Sequence, residues 1–366
     1  MRFVAAYPDR MPAHTPVYTR GAALPAILKQ RIVILDGAMG TMIQRFKLTE
    51  AQYRGVGYVG PGAVGDRFAH LPKDVKGNNE LLSLTRPDLV KDIHEGYLAA
   101  GADLIETNTF GATTIAQADY DMADLALEMN EASAAIAKAA CVRFSTPDKP
   151  RFAAGAIGPT PKTASISPDV NDPGARNIDF ETLRVAYKAQ VQALIKGGVD
   201  LLLLETIFDT LNAKAALFAI EEYFEESGER LPLIISGTVT DASGRILSGQ
   251  TVTAFWHSVR HAQPLAVGLN CALGAALMRP YLQELAKVAD DTFISCYPNA
   301  GLPNPMSDTG FDETPADTSR LLHAFAAEGL VNIVGGCCGT TPEHIFAIGQ
   351  ATTPLPPRLT AVAHEV

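Results

Sequence analysis

Short apolar runs, rich in β-branched side chains, recur eight times along the chain and are followed by helical patterns. The candidate strands cover residues 32–35, 103–106, 152–157, 200–204, 233–236, 265–269, 292–297 and 331–334. The clearest helical patterns, with apolar residues at three- and four-residue steps, cover residues 87–100, 122–140, 180–197, 211–226, 275–288 and 315–328. Strands that alternate with helices pair in parallel, and eight such units are the number that closes a barrel. We therefore predict an α/β fold, a (β/α)8 TIM barrel in a single domain; an open doubly wound sheet is the alternative.

The stretch from residue 46 to residue 79 interrupts this alternation. It contains six glycines and no clean period, which predicts a long excursion after the first strand, over the carboxyl-terminal mouth of the barrel. Prolines concentrate near both ends of the sequence. We therefore expect an N-terminal tail over residues 1–25, the barrel over residues 26–351, and a C-terminal tail or linker over residues 352–366.

Charge and composition exclude several classes of function. The formal net charge is −10, which leaves no basic surface for nucleic acid or for anionic lipid. The apolar runs are far shorter than the roughly 18 residues that span a bilayer, and Pro8 and Asp9 interrupt the only N-terminal stretch that resembles a signal peptide. Five cysteines, an odd number, do not form a disulfide framework. We expect a cytoplasmic protein whose thiols are reduced.

Polar residues follow six of the eight candidate strands, and active sites of this fold collect at those strand ends. These polar stretches begin at Asp36, Glu106, Glu205, Asn270, Tyr297 and Gly335. Three of the five cysteines belong to them, because Cys271 closes the sixth strand and Cys337 and Cys338 close the eighth. Flanking glycines give the backbone freedom to turn the paired sulfurs inward. Three thiolates at about 2.3 Å from one centre describe a zinc site with an open fourth position.

Other interpretations of these residues stay open. A buried cysteine is commonly a small inert hydrophobe, which is the interpretation we favour for Cys141 and Cys296, and the adjacent pair Cys337 and Cys338 permits a strained disulfide. The histidines at positions 257 and 261 have the i and i+4 spacing of metal ligands, but no glutamate follows the first as a zincin requires.

Asp36 and Glu205 end strands that face the predicted mouth. Either carboxylate can hold a substrate ammonium, and either can cap the turn or helix that follows it. The residues alone do not choose between these roles.

Three thiolates around zinc favour chemistry at sulfur. Zinc that generates hydroxide usually has histidine and carboxylate ligands, so a hydrolase is the weaker interpretation. A free thiol, with a pKa near 8.5, is only about 3% ionised at pH 7, whereas a metal-bound thiol is deprotonated. The site therefore suits an incoming thiol that becomes a nucleophile for alkyl transfer.

Six blocks of the sequence closely resemble the homocysteine-binding module of cobalamin-dependent methionine synthase. They are Asp-Gly-Ala-Met-Gly-Thr at 36–41, Lys-Gly-Asn-Asn-Glu at 76–80, Ile-Glu-Thr-Asn-Thr-Phe at 105–110, Thr-Ala-Ser-Ile-Ser-Pro at 163–168, Gly-Leu-Asn-Cys at 268–271 and Gly-Gly-Cys-Cys-Gly at 335–339. The last block alone is typical of the wider homocysteine S-methyltransferase family. The likeness extends from about residue 31 to about residue 349.

This resemblance implies a zinc-containing barrel that binds L-homocysteine and accepts a methyl group on its sulfur. The zinc-binding cysteines that it implies are Cys271, Cys337 and Cys338, which are also the catalytic centre. Asn299 resembles the weak oxygen ligand that fills the fourth position until the substrate sulfur displaces it. The residues that match the family's contacts with the amino and carboxylate ends of homocysteine are Asp36, Gly37 and Glu205.

The sequence departs from full-length cobalamin-dependent synthases in two ways. It has no Asp-x-His-x-x-Gly cobalamin signature, so methylcobalamin must be supplied by another module, either a cobalamin-binding protein or a domain cut from this chain. Residues 57–67 also form a longer segment than the family pattern suggests. We expect a methyltransferase of the methionine synthase type; the alternatives are direct use of betaine, S-methylmethionine or S-adenosylmethionine, or a homocysteine-binding module without turnover of its own.

Overall fold

Eight parallel strands form the centre of the computed structural model, which describes residues 16–241, 243–307 and 310–361. The strands are β1 (Val33–Ile34), β2 (Leu104–Glu106), β3 (Phe152–Ile157), β4 (Leu201–Ile207), β5 (Leu233–Gly237), β6 (Ala266–Cys271), β7 (Phe293–Pro298) and β8 (Ile333–Val334). Each strand pairs with its neighbour in sequence, and β8 pairs with β1. A parallel bridge between Leu35 and Leu104 joins the remaining edges. The predicted (β/α)8 barrel is confirmed, and the open sheet is excluded.

Helices connect these strands around the outside of the barrel. The α-helices are α1 (Leu24–Gln30), α2 (Met39–Arg45), α3 (Glu50–Tyr53), α4 (Leu82–Thr85), α5 (Pro87–Ala99), α6 (Thr114–Gln117), α7 (Ala126–Phe144), α8 (Phe180–Gly197), α9 (Thr210–Ser227), α10 (Val252–Val259), α11 (Gly274–Val288), α12 (Pro315–Ala327) and α13 (Pro342–Thr352). Short 3-10 helices cover Asn79–Leu81, Ala118–Tyr120, Ala123–Leu125 and Arg260–Ala262. Within the part of the chain that the structure describes, no helix has the length and apolar character needed to cross a membrane.

The core has two layers, as the alternation of side chains along each strand requires. One cluster fills the barrel interior and includes Leu35, Leu104 and Leu203, while a larger one lies between the strands and the surrounding helices. Leu24 and Leu28 of α1 belong to the interior cluster. That cluster also contains the first residues of β3, β6 and β7, so α1 covers the amino-terminal end of the barrel.

The predicted excursion after the first strand is confirmed, and it is held by specific hydrogen bonds. The Glu50 carboxylate accepts from the backbone N–H groups of Val75 and Lys76. The Arg54 guanidinium donates to Glu50 and to the carbonyls of Phe68, Ala69, Leu71 and Lys73. The segment then meets the loop after β2, because Asn108 Nδ2 donates to the carbonyl of Asn79 at 2.7 Å. These bonds place the excursion at the carboxyl-terminal mouth.

The chain after α13 returns to the barrel through Arg358. Its guanidinium is largely buried and donates to the carbonyls of Ala286, Ala289 and Thr292. Residues 352–361 are therefore anchored near the end of α11. The expectations for Pro8 and Asp9 lie outside the described residues.

Removing the side chain of Leu28 should destabilise the fold through the amino-terminal end of the barrel. Leu28 is fully buried, so we expect Leu28→Ala to lower the free energy of unfolding by about 2–5 kcal/mol, measured by urea denaturation. The neighbouring Lys29 is exposed, and Lys29→Ala should change it by less than about 0.5 kcal/mol. Equal effects of the two substitutions would contradict the role assigned to α1.

Candidate active site

Three cysteine sulfurs converge at the mouth of the barrel. Cys271 is the last residue of β6, and Cys337 and Cys338 lie in the loop after β8. All three Sγ atoms lie within 4.8 Å of one another. Tetrahedral zinc with Zn–S bonds of about 2.3 Å holds its sulfurs about 3.8 Å apart, so adjustments of about 1 Å suffice to bring all three onto one ion.

Steric closeness explains the two glycines that precede the cysteine pair. A Cβ on Gly335 would lie 2.7 Å from the Cβ of Leu35, and one on Gly336 would lie 2.4 Å from Thr340 Cγ2. Neither residue has a positive φ, whereas Gly339 has a φ of +82°. The expected backbone freedom is therefore needed only after the pair; before it, glycine permits close approach of the loop to β1 and Thr340.

Cys271 itself adopts an uncommon backbone conformation. Its φ is +62°, in the left-handed region that non-glycine residues rarely occupy. Strained residues of this kind concentrate at functional sites, where the surrounding structure holds them in place. The conformation turns the chain at the end of β6, where its sulfur joins the other two.

Hydrogen bonds lock the loop after β8 onto the loop after β1. Thr340 Oγ1 donates to the carbonyl of Cys337 at 2.6 Å and accepts from the N–H of Ala38 at 3.2 Å. The N–H of Gly339 donates to Thr41 Oγ1 at 3.0 Å. The Tyr97 hydroxyl donates to the carbonyl of Ala38 at 3.1 Å. The loop that carries the cysteine pair is thus held against residues of the first βα unit.

The pKa of each of the three thiols depends on the other two. Hydrogen bonds from Cys337 and Cys338 lower the pKa of Cys271 to about 3. The same hydrogen bonds raise the pKa of Cys337 well above its usual value and that of Cys338 to about 12, because each thiol keeps the proton that it donates. The negative charge of the Cys271 thiolate thus opposes ionisation of the other two thiols. Three thiolates require a cation among them, which is the role that a zinc ion plays in a cysteine site.

Asn299 lies beside the sulfurs with an unused oxygen. The residue follows β7, and its side chain is buried and hydrogen-bonded to the sulfur of Cys271. Among the described residues, its Oδ1 atom has no hydrogen-bond partner. Buried polar atoms without a protein partner are uncommon and are commonly satisfied by a water molecule or an ion, so this amide oxygen is a candidate for a cation at the same centre.

Asn270 organises the strand ends under the sulfurs. Its Oδ1 accepts from Ser236 Oγ at 2.7 Å and from the N–H of Thr206 at 3.2 Å, while its Nδ2 donates to Thr206 Oγ1 at 2.7 Å. The residue thereby joins β4, β5 and β6 immediately before Cys271. The sequence shows Asn270 at a strand end without indicating its role; the available signal was a polar residue inside an apolar interior.

Three carboxylates form a second cluster on the same face. Burial raises the pKa of Asp36 well above its usual value, and burial with the negative charge of Cys271 raises that of Glu205 to about 8. Burial and the charge of Glu205 similarly raise the pKa of Glu106. Within the described ranges, none of the three forms a salt bridge with lysine or arginine. Asp36 and Glu205 are buried and Glu106 is half-buried, and carboxylates withdrawn from water without a cation suit a positively charged ligand group.

The structure also decides whether the predicted carboxylates cap helices. The cap of α2 is Ala38, which has no side-chain cap, and the cap of α9 is Asp209, which accepts from the N–H groups of Leu211 and Asn212. Asp36 and Glu205 therefore cap neither of these two helices.

Gly37 lies directly between Asp36 and the α2 region, in a tightly packed turn. A Cβ there would lie 2.7 Å from Thr340 Oγ1 and 2.9 Å from Tyr97 Cε1. Glycine is thus required for the approach of this turn to the loop that carries the cysteine pair.

The remaining candidate ligands lie apart from this centre. Cys141 in α7 and Cys296 in β7 are fully buried, and burial raises the pKa of both thiols. His257 lies in α10 and His261 in the short 3-10 helix that follows. Over the ranges that the structure describes, neither histidine belongs to a group with metal-binding geometry.

Comparisons with known proteins agree with this architecture. The model of the family described as homocysteine S-methyltransferase matches residues 33–352. The oxidized and metallated crystal structures of the homocysteine methyltransferase MmuM from Escherichia coli each share 20% sequence identity with this chain, with a TM-score of 0.66. The aligned region covers 90% of this chain and 99% of that one. At this identity the crystal structures support the fold.

The family match runs from the first strand of the barrel to the end of its last helix and includes the three converging cysteines. The chain belongs to the homocysteine S-methyltransferase family and is accordingly a methyltransferase that acts on homocysteine.

Proposed function

We propose that this methyltransferase is zinc-dependent and of the methionine synthase type. Cys271, Cys337 and Cys338 hold the zinc, and the sulfur of L-homocysteine takes a methyl group from methylcobalamin on a separate cobalamin-binding protein or domain, giving methionine. The observation that carries the proposal is the convergence of the three sulfurs within 4.8 Å at the mouth.

The donor set fits zinc and a substrate thiol. A zinc ion at this centre would keep the sulfur of homocysteine deprotonated at neutral pH. The three cysteine thiolates carry more negative charge than the ion's +2, so they leave the substrate sulfur electron-rich. Asn299 supports the same arrangement, because its unpartnered oxygen can occupy the fourth position and yield to a stronger sulfur ligand.

The carboxylate cluster supports the orientation of the substrate. Asp36 and Glu205 face the mouth without a cationic partner among the described residues, so they suit the ammonium group of homocysteine. The turn at Gly37 would then lie near the carboxylate end, as the resemblance implies. With both ends held, the thiol reaches toward the cysteines.

The choice of methylcobalamin rests on the six sequence blocks that resemble the cobalamin-dependent module. We also retain as proposals the barrel boundaries at residues 26–351, the tails on either side and a cytoplasmic location. The odd number of cysteines, five, supports that location, because a chain without a disulfide framework is typical of a reducing compartment.

Zinc analysis tests the ligand assignment. The purified protein should retain about one zinc ion per chain after desalting, and Cys337→Ser should lose most of it, because a neutral hydroxyl replaces a thiolate. Cys141→Ala changes a cysteine in α7 and should keep the wild-type zinc content. Equal zinc in wild type and Cys337→Ser, measured by mass spectrometry of the metal, would refute the assignment.

The identity of the methyl donor is tested by methionine formation. Zinc-loaded protein with homocysteine should produce methionine from methylcobalamin, faster than the zinc-free protein does. It should produce none from betaine, S-methylmethionine or S-adenosylmethionine. Turnover with one of these small donors would support the alternative donor class. A rate equal to the zinc-free background with every donor would identify a binding module that does not catalyse transfer by itself.

A further inference from the structure

We propose that Glu106 is a third substrate-binding carboxylate, which together with Asp36 and Glu205 makes the site specific for a thiol that carries an α-ammonium group. This inference rests on the proposed function and names the basis of its acceptor specificity. The three residues are called the carboxylate cluster below.

The alternation of side chains directs Glu106 into the barrel mouth. Leu104, two residues earlier in β2, belongs to the interior cluster, whereas Ile105 belongs to the outer layer. The same alternation holds in β4, where Leu203 is interior and Leu204 is outer. Glu106 and Glu205 therefore point to the same side, one step above the apolar filling of the barrel.

Direct contacts connect Glu106 with both other carboxylates. Its backbone N–H donates to Asp36 Oδ2 at 3.1 Å, and its side chain is hydrogen-bonded to that of Glu205. A hydrogen bond between two carboxyl groups requires a proton between them, which limits the mutual repulsion within the cluster. The remaining oxygen of Asp36, Oδ1, is buried and has no partner among the described residues.

Other buried acidic residues of this protein have evident partners. Asp103 forms a salt bridge with Arg31 at 2.7 Å, and Asp200 forms one with Lys138 at 2.6 Å. Asp209 accepts the N-terminal N–H groups of α9. Buried carboxylates are rarely left without such compensation. The carboxylate cluster differs because its compensating cation has to come from the ligand.

The number of N–H donors on an ammonium group explains why a third carboxylate is useful. An ammonium has three N–H donors and no acceptor, so three carboxylates around it satisfy every donor. Glu106 is partly exposed whereas Asp36 and Glu205 are buried, so it is the member that a ligand entering from the mouth can reach most easily. A thiol without an ammonium would leave the cluster uncompensated.

Binding measurements on the zinc-loaded full chain test this inference. Isothermal titration calorimetry should compare L-homocysteine with 4-mercaptobutanoate, which has the same thiol and carboxylate but lacks the ammonium. The wild type should prefer homocysteine. Glu106→Gln should reduce that preference by about 10- to 100-fold, since one charge-assisted hydrogen bond contributes on this scale, while the affinity for 4-mercaptobutanoate stays the same or rises.

Two further variants separate binding from structural effects. Glu106→Asp keeps the charge on a shorter side chain and should retain more of the preference than Glu106→Gln. Asp119→Asn changes an exposed carboxylate in the 3-10 helix Ala118–Tyr120 and should leave both affinities unchanged. Zinc content is measured for each variant. If Glu106→Gln does not fold or hold zinc, Glu106→Ala takes its place, because it also removes the carboxylate, and a wild-type preference in that variant would overturn the inference.

The outcomes distinguish this inference from the function on which it rests. A wild-type preference for homocysteine in Glu106→Gln, or an equal loss of affinity for both thiols, would overturn the role of Glu106 alone. Failure of the wild-type protein to bind homocysteine, or equal binding of the two thiols by wild type, would instead overturn the substrate assignment of the whole site.

Discussion

The contact between the first and last βα loops is the constraint on which the site depends. Thr340 bonds to the loop after β1 and to the carbonyl of Cys337, and the absence of side chains at Gly37 and Gly336 lets the two loops approach Thr340. Barrel closure brings residues about 300 positions apart in the sequence into contact, so the cysteine pair is positioned by the tertiary fold. Local loop geometry alone would leave the direction of both sulfurs unspecified.

Two groups of negative potential lie side by side at this mouth, and they differ in the cation that each suits. The sulfur trio has soft donors, and zinc is a borderline-soft ion that accepts them. The carboxylate cluster offers oxygen acceptors, which suit an ammonium. The effect of the Cys271 charge on Glu205 shows that the groups interact. A substrate with a thiol at one end and an ammonium at the other fits both groups, because its sulfur suits a zinc ion held by the trio and its ammonium suits the carboxylates.

The sequence was sufficient to predict the barrel, because the period of the apolar residues distinguishes strands from helices. It was less informative at the strand ends. The strand predicted over residues 200–204 continues to Ile207, with a shift of register after Leu204, where polar residues replace the apolar run. The helix predicted from residue 122 begins at Ala126, because Ala123–Leu125 form a 3-10 turn first. The left-handed conformation of Cys271 has no sequence signal, since it is imposed by surrounding contacts. Glu106 could have been recognised from its period-two relation to Leu104, which becomes clear once the strand register is known.

The seal that α1 forms with Leu24 and Leu28 has a kinetic implication. With the amino-terminal end of the barrel filled, ligands would reach the cysteines from the carboxyl-terminal mouth. A protein-sized donor would obstruct that mouth while it is engaged. If the methyl donor is the protein-bound one proposed above, homocysteine would have to enter before that donor docks, and the product would leave after the donor withdraws.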